Sequence, residues 1–185
     1  IKPLSNVGGR YEVTHAKYDG KDVCLKKFPM QPAALNSYLT EIKNVQRLRH
    51  PNIISYNAVF NDDSKSMYIE MEYCSRGSLI QWMTRTCPDD QKKQSVLRQI
   101  LLALACMHEQ RIVHCDVKGE NILIAEDGTA RICDFEMSVD LTTTLSKSMT
   151  GGTFGFIAPE VRAWANAGYP PEAERQSLRD AGNSD

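Results

Sequence analysis

The sequence has no excess of charge of either sign, because 22 lysines and arginines are balanced by 23 aspartates and glutamates. Its net charge of -1 gives no argument for binding to nucleic acid or to an anionic membrane surface. It also lacks an apolar run long enough for a membrane-spanning helix, since the most apolar stretch, residues 96–107, contains Arg98 and Gln99. No signal peptide is recognisable.

Cysteine pairs of the kind that bind metal are missing as well, because none of the six cysteines forms a C-x-x-C pair. Cys24, Cys106 and Cys133 lie within apolar runs, which predicts buried, reduced thiols in a cytoplasmic protein. The 185 residues can bury one sizeable core or two small lobes that share a cleft. The sequence begins at Ile1 without methionine, and we expect it to be a piece of a longer protein with further domains.

A short segment, residues 114–121, contains an imidazole, two carboxylates, an ammonium group and a carboxamide. Asp116 and Asn121 are five positions apart, so a bent loop can direct both side chains at one point. An aspartate can accept a hydroxyl proton and an asparagine oxygen can bind Mg²⁺, a pairing that suits phosphoryl transfer. An ordinary surface loop is the alternative, because these residue types are common on protein surfaces.

Local patterns predict the elements of the first half of the chain. Asp19-Gly20 is a strong hairpin signal, because both central residues of a type I′ turn need a positive φ. A helix is predicted over 33–48, with Glu41 at the edge of its apolar stripe and able to point toward the sheet. The stripe comprises Leu35, Tyr38, Leu39, Ile42 and Val45. The predicted strands are 12–18, 21–28, 53–60 and 66–73.

The second half is predicted to be mainly helical. A long helix over 91–109 follows Asp89-Asp90, and acidic residues suit a helix N-terminus. Its predicted apolar stripe comprises Leu97, Ile100, Leu101, Leu104, Met107 and His108. A hairpin is predicted across residues 126–129, between strands 122–125 and 130–133.

Residues 114–121 resemble the catalytic loop of protein kinases, H-R-D-L-x-x-x-N, with Cys115 in place of the arginine. Residues 134–136 are similar to the family's D-F-G motif, with Glu136 in place of the glycine. A Ser/Thr-rich run, 142–153, lies where the family has its activation loop, and residues 158–160 match its A-P-E motif.

The first half carries weaker motifs of the same family. Residues 23–26 resemble V-A-I-K, and the sequence after the predicted helix resembles the H-P-N-I of kinases. When the glycine-rich loop pattern G-x-G-x-x-G-x-V is aligned on Val13, only Gly8 falls on a glycine position. Residues 71–79 resemble the hinge that binds the adenine edge.

The resemblance implies an α+β, two-lobed protein-kinase-like fold. Residues 1–73 would form the N-lobe, an antiparallel five-stranded sheet with one helix. Residues 74–160 would form a partial, mainly helical C-lobe with the catalytic and activation loops, and 161–185 a loop leading to a missing helix. We expect the isolated piece to be inactive for that reason.

The resemblance also implies a role for each matching residue. Asp116 would orient the substrate hydroxyl or accept its proton, Lys118 would neutralise charge on the transferred group, and Glu41 would hold Lys26 on the phosphates. The implied metal ligands are Asn121 and Asp134. The implied nucleotide contacts are Gly8, Val13, Cys24, Lys26, Met71, Glu72, Cys74 and Leu123.

Three functions remain open at this point. The first is an ATP- and Mg²⁺-dependent kinase that phosphorylates Ser or Thr of protein substrates, which the set of ionic residues favours. The second is a pseudokinase that binds nucleotide or a partner without turnover, which the eroded glycine loop, Cys115 and Glu136 favour. The third, an interaction domain that binds no nucleotide, leaves the ordered catalytic residues unexplained.

Overall fold

A computed structural model describes residues 2–4, 11–62, 66–142, 153, 155–159 and 162 of the chain. The residues of the N-terminal half form one five-stranded antiparallel sheet and one helix, as predicted. The rest of the described part contains two helices and two short strand pairs. Within these ranges, no helix combines the length and the apolar character needed to cross a membrane.

The sheet is built around its central strand. Its strands are β1 (Lys2–Leu4), β2 (Glu12–Tyr18), β3 (Lys21–Pro29), β4 (Tyr56–Asn61) and β5 (Ser66–Glu72), in the order β1-β2-β3-β5-β4. Strand β3 therefore pairs with both β2 and β5 and has one face against the core. The turn between β2 and β3 has φ values of 49° at Asp19 and 74° at Gly20, so the predicted hairpin is confirmed.

Helix α1 (Pro32–Val45) packs on the sheet with a face that differs from the predicted stripe. The helix begins with Pro32, whose missing N–H is not needed at that position. Its buried residues are Ala34, Tyr38, Glu41, Asn44 and Val45. The prediction is wrong at Leu35 and Leu39, which are exposed, because partnered polar side chains take the inner positions.

Two helices follow β5, and the first of them was not predicted. Helix α2 (Leu79–Thr86) begins with a capping box in which the Ser78 and Gln81 side chains each bind the other's backbone N–H. Helix α3 (Asp90–Glu109) begins at the cap Asp89 and buries Val96, Ile100, Ala103 and Met107. The stripe predicted for α3 is wrong at Leu97, Leu101 and His108, which are exposed.

Short strands surround the loop that follows α3. They are β6 (Ile112–Val113), β7 (Ile122–Ile124), β8 (Ala130–Ile132) and β9 (Val139–Asp140), which pair as β6 with β9 and β7 with β8. The β7–β8 hairpin confirms the prediction at that place, with each strand one residue shorter at its C-terminal end. The pairing of β6 with β9 fixes the segment that follows residue 134.

The segment between α1 and β4 joins the two halves. Ile53 bridges to Ile132 of β8, and the Ile54 N–H donates to the Ile132 carbonyl at 2.9 Å. The predicted strand 53–60 therefore begins only at Tyr56, since its first residues pair with β8 instead. The Glu72 carboxylate accepts from the Ser55 N–H and from Arg131 Nε, both at 3.0 Å, which fastens the end of β5 to the same hairpin.

Candidate active site

Lys26 binds two carboxylates from different parts of the chain. Its Nζ donates to Glu41 Oε2 at 2.8 Å and to Asp134 Oδ1 at 2.6 Å. The Lys26 side chain is only 8 % exposed, because it lies on the inner face of β3 beneath α1. Burial lowers the pKa of Lys26, but the charges of Glu41 and Asp134 outweigh it and raise the pKa well above its usual value. Lys26 is therefore a permanent cation in the cleft.

Glu41 has a second partner, Tyr56 at the start of β4. The Tyr56 hydroxyl donates to Glu41 Oε1, while Oε2 accepts from Lys26. The Glu41 side chain is fully buried, so both oxygens are satisfied within the protein. Burial raises the pKa of Tyr56 well above its usual value, and the adjacent Glu41 carboxylate adds to the shift. The tyrosine therefore remains a hydrogen-bond donor that fixes Glu41.

Asp116 lies in the loop between β6 and β7 and accepts hydrogen bonds on both oxygens. Oδ2 accepts from Lys118 Nζ at 2.8 Å and from Asn121 Nδ2 at 2.9 Å. Oδ1 accepts from Thr153 through its N–H at 2.9 Å and its Oγ1 at 2.7 Å. Burial raises the pKa of Asp116, but the bonds from Lys118 and Thr153 outweigh it and lower the pKa. Asp116 is thus an ionised acceptor at neutral pH.

Thr153 was not among the predicted site residues. Its Oγ1 donates to Asp116 and accepts from Lys118 Nζ at 2.6 Å, so one hydroxyl joins the two. From the sequence, Thr153 was assigned to the Ser/Thr-rich run 142–153 in the place of the activation loop. A contact between residues 37 positions apart has no local signature, so its partner could not be found from the sequence.

The backbone of the loop is fixed by a buried neutral histidine. His114 Nε2 lies 2.9 Å from the Cys133 carbonyl, and His114 Nδ1 accepts from the Asp116 N–H at 3.3 Å. Burial lowers the pKa of His114, which suits an imidazole with one donor and one acceptor nitrogen. Its ring packs on Phe135 with centroids 5.1 Å apart, so the loop and the segment after β8 support each other.

Five of the residues predicted to contact nucleotide lie in one buried apolar cluster or pack against it. Cys24 lies opposite Met71 in the pairing of β3 with β5, and Cys74 follows β5. These three belong to one buried cluster, against which Val13 and Leu123 pack. The segment after β5 binds strand β7. Ser78 bridges to Leu123, and the Ile124 N–H donates to the Gly77 carbonyl at 2.8 Å. Gly8 lies outside the described residues.

The two predicted metal ligands offer oxygen atoms of the kind that Mg²⁺ prefers. Asn121 uses its Nδ2 to donate to the Asp116 carbonyl and carboxylate, which leaves Oδ1 as its ligand atom. Asp134 binds Lys26 through Oδ1. No group of three or more His, Cys, Asp or Glu in the described part could hold a metal ion by itself. The donors fit a Mg²⁺ ion that takes its remaining ligands from phosphates and water.

The motif set and this geometry agree with one known family, the protein kinase domain, whose profile matches residues 6–175. The chain belongs to the protein kinase family. Its two-lobed α+β fold is therefore that of a kinase, which confirms the predicted fold class. Of the departures from the family motifs, Cys115 and Glu136 are both half-buried beside the loop.

Several curated proteins are similar to this kinase domain. It is 31% identical over 163 residues to serine/threonine-protein kinase PAK 1 of Mus musculus, covering 86% of this chain and 29% of that protein. It is 35% identical over 141 residues to sporulation-specific protein 1 of Saccharomyces cerevisiae, covering 75% and 29%. A bifunctional serine/threonine-protein kinase/NEDD4-like E3 ubiquitin-protein ligase of Dictyostelium discoideum is 30% identical over 174 residues, covering 88% and 9%. The chain therefore spans less than a third of each of these relatives.

Some predictions fall on parts of the chain outside the described residues. These include the glycine-rich loop up to residue 10, most of the run 142–153, Glu160 and the whole of 163–185. The expectation of a partial C-lobe that leads to a missing helix therefore stays a prediction. The same holds for the domain boundaries placed after residues 73 and 160.

Proposed function

We propose that this kinase domain uses ATP and Mg²⁺ to phosphorylate Ser or Thr hydroxyls of protein substrates. The observation that carries the proposal is the simultaneous contact of Lys26 with Glu41 and Asp134. This contact requires β3, α1 and the segment after β8 to occupy one arrangement, and it places a cation beside a carboxylate suited to Mg²⁺. A set of surface charges has no reason to be buried and paired in this way.

Each residue has a separate part in the proposed reaction. Lys26 binds phosphate oxygens, with Glu41 holding it in place, and Asp134 and Asn121 hold the metal. Bound ATP and Mg²⁺ supply the transferable phosphoryl group and neutralise its charge. Asp116 orients the substrate hydroxyl and accepts its proton, while Lys118 stabilises the charge that develops on the transferred group.

The preference for Ser or Thr over Tyr has two supports. The printed names of two relatives describe them as serine/threonine-protein kinases. In this chain, Lys118 and Thr153 together enclose the Asp116 carboxylate. We further propose that the domain is part of a longer protein, since it covers only a fraction of each relative. We also propose that it acts in the cytoplasm, where free thiols such as those of Cys24 and Cys74 stay reduced.

A nucleotide-binding module without turnover is the second candidate. It is favoured by Glu136, which places a half-buried carboxylate directly after Asp134 and Phe135, where phosphates would bind. A carboxylate beside anionic phosphates is a like-charge arrangement that weakens their binding unless the carboxylate joins the metal. The two candidates differ in whether bound nucleotide is turned over.

Substitutions of Asp116 and Asp134 in the longest folded form of the protein separate these functions. Asp134→Asn should weaken Mg²⁺-dependent ATP binding, because it removes a charged metal ligand. Asp116→Asn should lower turnover about 100-fold or more with little change in ATP affinity, because Asp116 acts on the hydroxyl. Isothermal titration and phosphate incorporation into a Ser/Thr peptide library measure the two effects.

Asp127→Asn is the matched control, since Asp127 is an exposed aspartate in the β7–β8 turn, away from the cleft. This variant should change neither the ATP affinity nor the rate of phosphate incorporation. ATP binding by the unmodified protein without phosphate incorporation would favour the module without turnover. Equal loss of ATP affinity in both site variants would contradict the separate roles of Asp116 and Asp134.

A further inference from the structure

Three polar side chains follow one another at intervals of three residues along α1 and just beyond its end. Glu41 and Asn44 are buried on the inner face of the helix, and Arg47 is an exposed residue two positions after the last helical residue. Glu41 binds Lys26, as described above. The other two do not contact the cleft but bind the segment that follows Asp134, 93 or 94 positions further along the chain.

Asn44 binds this segment from within the core. Its Nδ2 donates to Ser138 Oγ at 2.8 Å and to the Ser138 carbonyl at 3.2 Å. Both residues are only 2% exposed, so water cannot replace these bonds if they break. The Ser138 hydroxyl in turn donates to the Phe135 carbonyl, next to Asp134. The amide of Asn44 is thus connected to the backbone that carries Asp134.

Arg47 binds the same segment one turn later. Its Nη1 donates to Asp140 Oδ2 and its Nη2 to the Gln110 carbonyl, both at 2.7 Å. Asp140 is buried and also accepts from the N–H and hydroxyl of Thr142. The Thr142 hydroxyl lowers the pKa of Asp140 to about 2 against the effect of burial, and Arg47 adds to the shift. Asp140 is therefore charged throughout the physiological range.

The segment 138–141 also binds strand β6 and the residue before it. Asp140 pairs with Ile112 in the β6–β9 ladder, and the Leu141 N–H donates to the Arg111 carbonyl at 2.8 Å. These contacts thus fix the position of α1 relative to the part of the fold that also carries the Asp116 loop. A rotation of α1 about its axis would break the Asn44 and Arg47 contacts together with the contact of Glu41 to Lys26.

We propose that Asn44 and Arg47 are positioning residues, which hold α1 through Ser138 and Asp140 so that Glu41 reaches Lys26. Loss of either contact should loosen the Lys26–Glu41 pair although neither residue touches it. The effect on catalysis rests on the proposed function, whereas the effect on Lys26 does not. The ionic environment of Lys26 can therefore be measured without relying on turnover.

Competitive acetylation with trace acetic anhydride measures the reactivity of Lys26, because only the unprotonated amine reacts. Asn44→Leu and Arg47→Met, in the longest folded form of the protein, should raise the acetylation rate of Lys26 at pH 8 about tenfold. Phosphate incorporation should fall by a similar factor. Exposed Lys92 serves as the internal reference in the peptide mass spectra.

The matched control is Lys93→Met, which removes a surface ion pair with Asp90 at 2.9 Å and should leave Lys26 unchanged. Arg47→Lys should restore part of the protection, because it keeps the charge beside Asp140. If Arg47→Met fails to fold, Asp140→Asn removes the charge of the same pair without a change in size and should act in the same direction. Circular dichroism identifies the folded variants.

The two proposals can fail separately in this experiment. Unchanged Lys26 acetylation in folded Asn44→Leu and Arg47→Met would overturn the positioning role, whether or not the protein transfers phosphate. If Lys26 acetylation rises in Asn44→Leu and Arg47→Met although the unmodified protein transfers no phosphate, the positioning role is supported and the proposed function is contradicted. An equal rise with Lys93→Met would show a general loosening of the fold and would overturn the inference.

Discussion

Burial decides the protonation state of most ionisable side chains around the cleft. It raises the pKa of Cys24 to about 11 and that of Cys74 to about 12, and it lowers the pKa of His114. Lys26 and Asp116 keep their charges only because each has partners of opposite charge or hydrogen-bond donors. The cleft therefore combines neutral thiols along its apolar walls with fixed charges at its inner end.

The raised thiol pKa values predict slow alkylation of the cleft cysteines. At pH 7.5, iodoacetamide should modify exposed Cys87 first and Cys24 and Cys74 about 100-fold more slowly, because the thiolate is the nucleophile and both thiols are buried. Time-resolved peptide mass spectrometry measures the rates. Chain unfolded in guanidinium is the control and should lose the difference. Equal rates in the folded protein would contradict the buried thiols.

The raised pKa values of these two thiols also decide whether the protein becomes more or less stable as the pH rises. Cys24 and Cys74 hold their protons more tightly in the folded than in the unfolded chain. Their contribution to the free energy of unfolding is therefore complete at neutral pH and is lost as the pH rises above the unfolded thiol value of about 8.5.

At the scale of residues, the sequence identified residues that belong to a family motif better than it identified the side chains that each residue contacts. Lys26 and Glu41, assigned by resemblance, form an ion pair in the structure. The contacts of Thr153 and Asn44 could not be predicted, because each joins residues that only the folded chain brings together. The buried amide of Asn44 also shows why the stripe predicted for α1 was wrong, since apolar periodicity assigns no inner position to a polar side chain.

Elements defined by local backbone requirements were predictable, and those defined by distant pairing were not. The Asp19-Gly20 hairpin follows from two residues that tolerate a positive φ. Helix α2 has only eight residues, yet its capping box at Ser78 and Gln81 was a local signal that could have revealed it. The β6–β9 pair has two residues a strand, too few for a periodic pattern, and it exists because residues 112 and 140 meet in the fold.

The segment between β9 and residue 153 should respond weakly to phosphorylation. Cys115 is half-buried, and burial raises the pKa of its thiol. A thiol carries no positive charge in either protonation state, so Cys115 offers none to a phosphate. The arginine of the family motif can form a bidentate pair with a phosphorylated loop. We expect stoichiometric phosphorylation within 142–153 to change the rate of phosphate transfer less than about twofold, measured with a peptide substrate.

Cys115→Arg is the informative control for this prediction. It restores a guanidinium at the same place, so the rate should become sensitive to phosphorylation of the loop. A large rise in rate on phosphorylation of the unmodified protein, abolished by alanine at the loop's Ser and Thr residues, would contradict the expectation. Such a result would mean that another cation binds the phosphate.

At the scale of the whole molecule, the described part leaves one helix face uncovered. The outer side of α3 exposes 55% of Leu97 and 56% of Leu101, with Leu102 beside them at 45%. Adjacent large apolar side chains on one exposed face favour association with another apolar surface. Residues 1–185 expressed alone should therefore self-associate through this face.

Analytical ultracentrifugation tests the association directly. Replacing both Leu97 and Leu101 by Gln should shift residues 1–185 toward monomer, because it removes apolar area without touching the inner face of α3. Tyr18→Gln is the control, since Tyr18 is an exposed aromatic residue beside the β2–β3 turn and does not belong to α3. A monomer formed by the unmodified 185 residues at the same concentrations would contradict this prediction.

Under the proposed function, the double contact of Lys26 would make phosphate binding and metal binding thermodynamically dependent on each other. One carboxylate of the pair, Asp134, is held by the same ammonium group that would bind phosphate. Phosphate that draws Lys26 toward itself frees Asp134 for the cation, and a cation on Asp134 frees Lys26 for phosphate. By linkage, each must then raise the affinity of the other by the same factor. Either one alone has to compete with an ion pair that the protein already contains.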